Sequence, residues 1–218
     1  MANLFLILLV VFTAVHLYHS WMDDAKRRPY TKPFLLLCII GYYVVSADKI
    51  SVLLLLALIT SWLGDVLLIP KGHKWFRIGG TSFLISHYLF ILVYVPEIQW
   101  SGVKWLIVAA LAAVYITISM KVIQAVKPTT PANMIKAMYN YLLTNSAMNI
   151  FALMRLMSLG SAGGWLAYIG AVLFFTSDCT LFFVRCYSKP EVIFKKHFTV
   201  MLTYVVGEFL ITLGMLLG

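Results

Sequence analysis

Apolar stretches long enough to cross a bilayer recur along the whole chain, and no other feature restricts its fold as strongly. A helix needs about 20 mostly apolar residues to cross the hydrocarbon core. Eight such stretches can be marked, at roughly 3–20, 31–47, 50–69, 79–95, 103–126, 133–156, 162–184 and 197–217. A soluble domain carries about 45–50% apolar and roughly 25% charged residues. Here 62% of the 218 residues are hydrophobic and 11% are charged. The expected fold is therefore an all-α polytopic membrane protein, with eight transmembrane helices in a single domain over residues 1–218. The first stretch lacks a basic leader, and no small-residue cleavage site precedes Trp21-Met22-Asp23, so it is expected to be a retained helix rather than a signal peptide.

The net charge of +9 is unevenly placed. Lys26, Arg27, Arg28 and Lys32 fall between stretches one and two, and Lys71, Lys74 and Arg77 between three and four. Lys121, Lys127 and Lys136 flank the fifth-to-sixth connection, and Arg185, Lys189, Lys195 and Lys196 lie between seven and eight. Only Lys49, Lys104 and Arg155 belong to the alternate side. The positive-inside rule then predicts cytosolic basic connections and both termini outside. The basic balance reads as topology and contact with anionic membrane lipids, not as nucleic-acid binding.

Cys38, Cys179 and Cys186 lie in or at the ends of stretches and show no metal-ligand spacing, so neither a disulfide framework nor a metal site is expected. The seven prolines are expected in connections or near helix ends.

Two carboxylates interrupt this pattern. Asp65 lies in Ser61-Trp62-Leu63-Gly64-Asp65 and Asp178 in Phe175-Thr176-Ser177-Asp178. An ionisable side chain at membrane depth is expensive and faces a bundle interior or a water-filled cavity, which marks it as a functional candidate. The predicted topology brings Asp65, His87, Asp178, Tyr204 and Glu208 to the cytosolic half of the membrane. Spacing of four residues groups Tyr141, Asn145 and Asn149 on one face, Ser61 with Asp65 on another, and Tyr204 with Glu208 on a third. Gly170 and Ala171 share a face with Phe174 and Asp178, where small residues admit a close neighbour.

Plainer readings compete. Asn145 and Asn149 fit hydrogen bonds between helices. His87 alone fits a core histidine. Arg155 reads as a snorkelling anchor. His16 and His19 are read as lying at the outer end of the first stretch, away from the polar centre, and not as a metal pair.

Two carboxyl groups in a low-dielectric setting divide naturally into a proton donor and an ionised partner. Glycosidases use that division around an oxocarbenium-like transition state. It suits an acid-labile ether whose cleavage passes through such a cation. No G-x-S-x-G elbow, H-E-x-x-H or P-loop is present to support other hydrolytic chemistry.

The ordered set Thr31-Lys32-Pro33, Ser61-x-x-Gly64-Asp65-x-x-Leu68, Phe83-Leu84-x-x-His87-x-x-Phe90, Tyr141 followed by Met148, Gly170-Ala171-x-x-Phe174-x-x-Ser177-Asp178 and Tyr204-x-x-Gly207-Glu208 resembles the YhhN-like lysoplasmalogenase family. The resemblance runs from about residue 30 to 213. It implies an eight-helix membrane hydrolase without a cofactor. Its substrate is a lysoplasmalogen, a lysophospholipid with a vinyl ether at sn-1. Its products are a fatty aldehyde and glycerophosphocholine or glycerophosphoethanolamine. Asp65 and Asp178 are then the expected catalytic residues. Ser61, His87, Tyr141, Asn145, Tyr204 and Glu208 are expected to orient water and the glycerol. Lys32 is expected to meet the substrate phosphate, with Lys74 and Arg77 as weaker candidates. One departure is Gly207-Glu208, where the family's last helix usually carries Ala-Gln; a third carboxyl group alters the proton inventory. The host membrane is expected to be the inner membrane in a bacterium or the endoplasmic reticulum in a eukaryote.

The alternative is a small proton- or cation-coupled carrier or lipid flippase that uses the intramembrane aspartates. The similar aspartate segments, 113 residues apart, hint at a parallel four-plus-four repeat of the kind some transporters show.

Overall fold

The computed structural model describes residues 1–218 and is entirely helical. Eight α-helices follow one another: α1 Ala2–Trp21, α2 Arg28–Ser46, α3 Val52–Leu67, α4 His73–Tyr94, α5 Trp105–Val126, α6 Ala132–Leu159, α7 Ala162–Cys186 and α8 His197–Leu216. Short 3-10 turns punctuate the connections. In hydrocarbon each backbone N–H and C=O must be satisfied within the chain, and helices achieve this segment by segment. Six of the helices are long and apolar enough to cross a membrane. The α3 helix is apolar but has 16 residues, or about 24 Å at 1.5 Å per residue. The α2 helix carries Arg28 and Lys32 in its first two turns.

The chain divides into two compact units, Met1–Val93 and Tyr94–Gly218. In the first, α1 and α2 form an antiparallel pair. The Phe5 ring lies against Gly41, Phe12 stacks on Phe34 with centroids 5.0 Å apart, and His16 Nδ1 meets Thr31 Oγ1 at 2.8 Å. The α2 and α3 helices are tied where Trp62 Nε1 donates to the Pro33 carbonyl at 3.0 Å and Ser51 N donates to Tyr43 Oη at 2.7 Å. Ser51 also caps α3 by accepting from Leu54 N. The α4 helix joins α3 through Ser82 Oγ, which donates to the Thr60 carbonyl at 2.7 Å, and through Phe83, whose ring occupies the space beside Gly64.

The second unit is built on tighter helix contacts. Gly160, at φ +60°, closes α6 in the left-handed region that glycine favours, and Ser161 caps α7 by accepting from Gly164 N. Two residues thus stop one helix and start the next. The α7 and α8 helices run antiparallel, almost backbone to backbone. A Cβ at Gly170 would lie 2.6 Å from the Gly207 carbonyl oxygen, and one at Gly214 would lie 2.5 Å from that of Gly163. Small residues permit this approach in membrane helices, where packing rather than the hydrophobic effect drives association. Tyr115 and Tyr168 bring their hydroxyls to 3.3 Å between α5 and α7, and Ser119 meets Ser146 at 3.0 Å between α5 and α6.

Three expectations are corrected. The α4 helix begins at His73, not near residue 79, because hydropathy marks the apolar segment and a helix continues through flanking polar residues such as Lys74 and Arg77. For the same reason α2 starts at Arg28, which puts Pro33 inside the helix at its second turn, still near its end. His16 is not away from the polar centre: its partner Thr31 is in the first turn of α2, next to Lys32, which pairs with Asp65. Arg155 is not an exposed anchor: it is 1% exposed, and its Nε and Nη2 both lie 2.8 Å from Oε2 of the partly exposed Glu97, so an ion pair holds it.

Candidate active site

Each unit contains a buried polar cluster centred on an aspartate. In the first unit, Asp65 occupies the last turn of α3 and is 1% exposed. Lys32 reaches it from α2: Nζ lies 3.1 Å from Asp65 Oδ1 and donates to the Asp65 backbone carbonyl at 3.3 Å. The carboxylate is therefore matched by a full positive charge. Lys32 was expected to meet a substrate phosphate; in this structure its ammonium is engaged by Asp65. Ser61, one turn before Asp65, bonds across to Ser86 at 2.7 Å rather than along its own helix. His87, the next residue on α4, is fully buried. Ser86 escaped the sequence reading, although Ser82 and Ser86 stand four apart on one face of α4. The spacing rule applied to α6 would have found them.

In the second unit, Asp178 is held in another way. Tyr141 Oη donates to Asp178 Oδ2 at 2.8 Å and Asn145 Nδ2 donates to the same oxygen at 2.7 Å. Both donors come from one face of α6, as their spacing required. Neighbouring rings wall this cluster: Phe182 meets Tyr141 edge-on at 5.5 Å and Phe174 meets Tyr204 at 5.3 Å. Ser177, beside Asp178, donates to the Val200 carbonyl at 2.9 Å, which fixes α8 against α7. Glu208 is fully buried on α8 and interacts electrostatically with Tyr141, so the third carboxyl group belongs to the neighbourhood of Asp178. Gly170, expected to admit a neighbouring helix or a ligand, admits α8.

The expected site residues thus assemble as Lys32 with Asp65, Ser61 with Ser86, and Asp178 with Tyr141 and Asn145. A carboxyl group held by oriented donors in a water-poor setting can transfer a proton or stabilise a developing cation. Together these features define an all-helical protein of membrane-spanning composition with ionisable side chains buried among its helices. The chain belongs to the YhhN family, whose sequence pattern matches residues 27–215. No similar chain was found among curated proteins or among solved structures.

Proposed function

We propose that this protein is a lysoplasmalogenase, a membrane hydrolase that cleaves the sn-1 vinyl ether of lysoplasmalogens to a fatty aldehyde and a glycerophospho-alcohol. The observation that carries the reading is the pair of donors on Asp178 Oδ2, which orients a buried carboxyl group in a member of the YhhN family.

The chemistry needs two carboxyl roles, and the chain has a buried candidate for each. A general acid protonates the outer carbon of the vinyl ether, leaving an oxocarbenium ion. Water then adds to the cationic carbon and gives its proton to a carboxylate. The resulting hemiacetal collapses to aldehyde and alcohol. Asp178 fits the acid: Tyr141 and Asn145 orient its buried carboxyl group through Oδ2. Asp65, charge-matched by Lys32, fits the lasting carboxylate. Tyr204 and Glu208 in the second unit, and His87 and Ser61 in the first, are proposed to orient water and the glycerol. In the membrane, the proposal counts α2 and α3 as spans beside the six longer helices. It places the basic connections on the cytosolic face and both termini outside.

The test is mass spectrometry of detergent-purified protein incubated with alkenyl lysophosphatidylcholine and lysophosphatidylethanolamine. Wild type should release aldehyde. Asp178→Asn and Asp65→Asn, checked for folding, should each lose at least about 100-fold, the scale of general acid–base catalysis. Aldehyde release at near wild-type rates from both folded variants sinks the mechanism.

A second reading, a carrier for lipids or cations, is favoured by one observation. Each unit contains four helices and bears its aspartate on the third, as a parallel repeat predicts. Substrate accumulation in proteoliposomes without chemical conversion would support it.

A further inference from the structure

The hydrogen bonds of α6 form a directed chain. Asp178 Oδ2 accepts from both Tyr141 Oη and Asn145 Nδ2, which turns the amide nitrogen of Asn145 toward Asp178. That leaves Asn145 Oδ1 facing the next turn of α6, where Asn149 Nδ2 donates to it at 3.0 Å and to the Asn145 backbone carbonyl at 3.0 Å. Asn149 cannot be flipped without setting its oxygen against two acceptors. Its orientation is therefore dictated by Asp178 through Asn145. The consequence falls on Asn149 Oδ1, which ends the chain. Asn149 is 0% exposed, and no donor from the protein reaches this oxygen. A buried acceptor without a donor carries its desolvation cost uncompensated. Such groups call for an explanation in a native fold.

Resting on the hydrolase reading, we propose that Asn149 Oδ1 accepts a hydrogen bond from an O–H group of the reaction, and that Asn149 is a specificity residue for substrates bearing a free hydroxyl beside the vinyl ether. The geometry fits. Asn145 and Asn149 are one helical turn apart, roughly 6 Å along the axis. Five covalent bonds separate the sn-2 oxygen of a lysoplasmalogen from the vinyl carbon that takes the proton, so the two lie on the order of 6 Å apart when extended. A substrate with its vinyl carbon at Asp178 can bring its sn-2 hydroxyl one turn along α6. The same O–H chemistry could come from a water molecule, and substrate analogues separate the two sources. A site built to hydrogen-bond a hydroxyl rejects an analogue that lacks it, because the buried acceptor is then left unpaired.

The experiment compares wild type and Asn149→Leu on an alkenyl lysophospholipid and on its sn-2 O-methyl analogue, with thermal unfolding to count folded protein. If the donor is the substrate hydroxyl, wild type loses about 10-fold or more in kcat/KM on the methylated compound. Asn149→Leu then treats the two compounds almost alike. If the donor is water, Asn149→Leu lowers kcat about 10-fold on both compounds at unchanged KM. The first result supports the proposal; the second overturns the specificity role and leaves Asn149 as a contact to water. The proposal is also overturned if folded Asn149→Leu keeps wild-type kcat/KM and wild-type discrimination, or if its activity falls only in proportion to lost folded protein. A parallel measurement uses saturated ether lysolipids, which cannot be hydrolysed, as ligands in thermal unfolding. Suppose wild type releases no aldehyde but is stabilised more by the hydroxyl form than by the methylated one, and Asn149→Leu erases the difference. The hydrolase reading then fails while Asn149 stands. Equal stabilisation, with no aldehyde, sinks both.

Discussion

Asp65 and Asp178 occupy matching places, each on the third helix of a four-helix unit and each buried, yet they are stabilised by opposite means. Asp65 is met by a cation, the Lys32 ammonium at 3.1 Å. Asp178 receives two uncharged donors on a single oxygen. A buried ion pair is stable only as a pair, because removing one member strands the other in a low-dielectric setting. Removing one uncharged donor from a carboxyl group strands no opposite charge. The comparison teaches what the loss of a neighbour would strand: a full charge at Asp65, a hydrogen-bonding position at Asp178.

The largest expected effect tests that asymmetry. Lys32→Met should destabilise the protein by about 3 kcal/mol, at the lower end for a broken buried pair because the lysine side chain is 16% exposed. The double variant Lys32→Met/Asp65→Leu should recover most of that loss, since a hydrophobic replacement of both members removes the stranded charge. Thermal unfolding in detergent reads both. If the single variant unfolds like wild type, the ion pair contributes little and the contrast between the aspartates collapses.

The second unit relies instead on backbone approach. Gly170→Leu should cost about 2 kcal/mol, in the range for forced overpacking, because even a Cβ at that position meets the Gly207 carbonyl oxygen and Ile211 N within 2.7 Å. The side chain cannot be accommodated by rotating a neighbour, since the obstructing atoms are backbone. Unfolding measurements on Gly170→Leu beside Gly80→Leu, whose Cβ would meet nothing, separate close packing from a general effect of mutating glycine. Equal losses would remove α7–α8 contact as the distinctive support of the Asp178 cluster.

What the sequence revealed about these two clusters follows from the range of each interaction. Tyr141 and Asn145 share a helix face, so spacing alone aimed both at one partner, and the structure supplies Asp178. The eight helices were legible because apolar length is a local property. Lys32 and Asp65 are 33 residues apart and pair across two helices, which no local pattern encodes. Ser61 stands one turn from Asp65, but its hydroxyl turns to Ser86 because a neighbouring helix offers a nearer partner. Arg155 is hidden from hydropathy for a related reason: an apolar run cannot distinguish an arginine that faces headgroups from one that pairs with Glu97. Helix starts at Arg28 and His73 were blurred because polar residues end an apolar run without ending a helix.

A smaller effect probes the donors directly. Tyr141→Phe removes one of two hydrogen bonds to Asp178 Oδ2 and keeps the ring against Phe182. It should cost about 1.5 kcal/mol, the upper value for an ordinary net hydrogen bond. Asn145 still holds the carboxyl group, so the variant should fold and retain measurable turnover, with the pH profile of kcat displaced from that of wild type. An unchanged profile with lowered kcat would recast Tyr141 as a substrate contact rather than a group that positions Asp178.

The smallest expected effect lies in the first unit and concerns the serine pair that joins α3 to α4. Ser61→Ala leaves the Ser86 hydroxyl without its 2.7 Å partner in a fully buried setting, which should cost about 1 kcal/mol. Removing both hydroxyls, in Ser61→Ala/Ser86→Ala, leaves no polar group to satisfy and should be nearly neutral. The cycle matters because Ser61 precedes Asp65 by one turn and was expected to orient substrate. If Ser61→Ala leaves stability intact but lowers kcat/KM while Ser86→Ala does not, Ser61 acts on the ligand and the serine pair is incidental. If stability follows the cycle and catalysis per folded molecule is unchanged, the first unit's polar contacts serve to hold Asp65 and Lys32 in register, and substrate recognition belongs to the donors around Asp178.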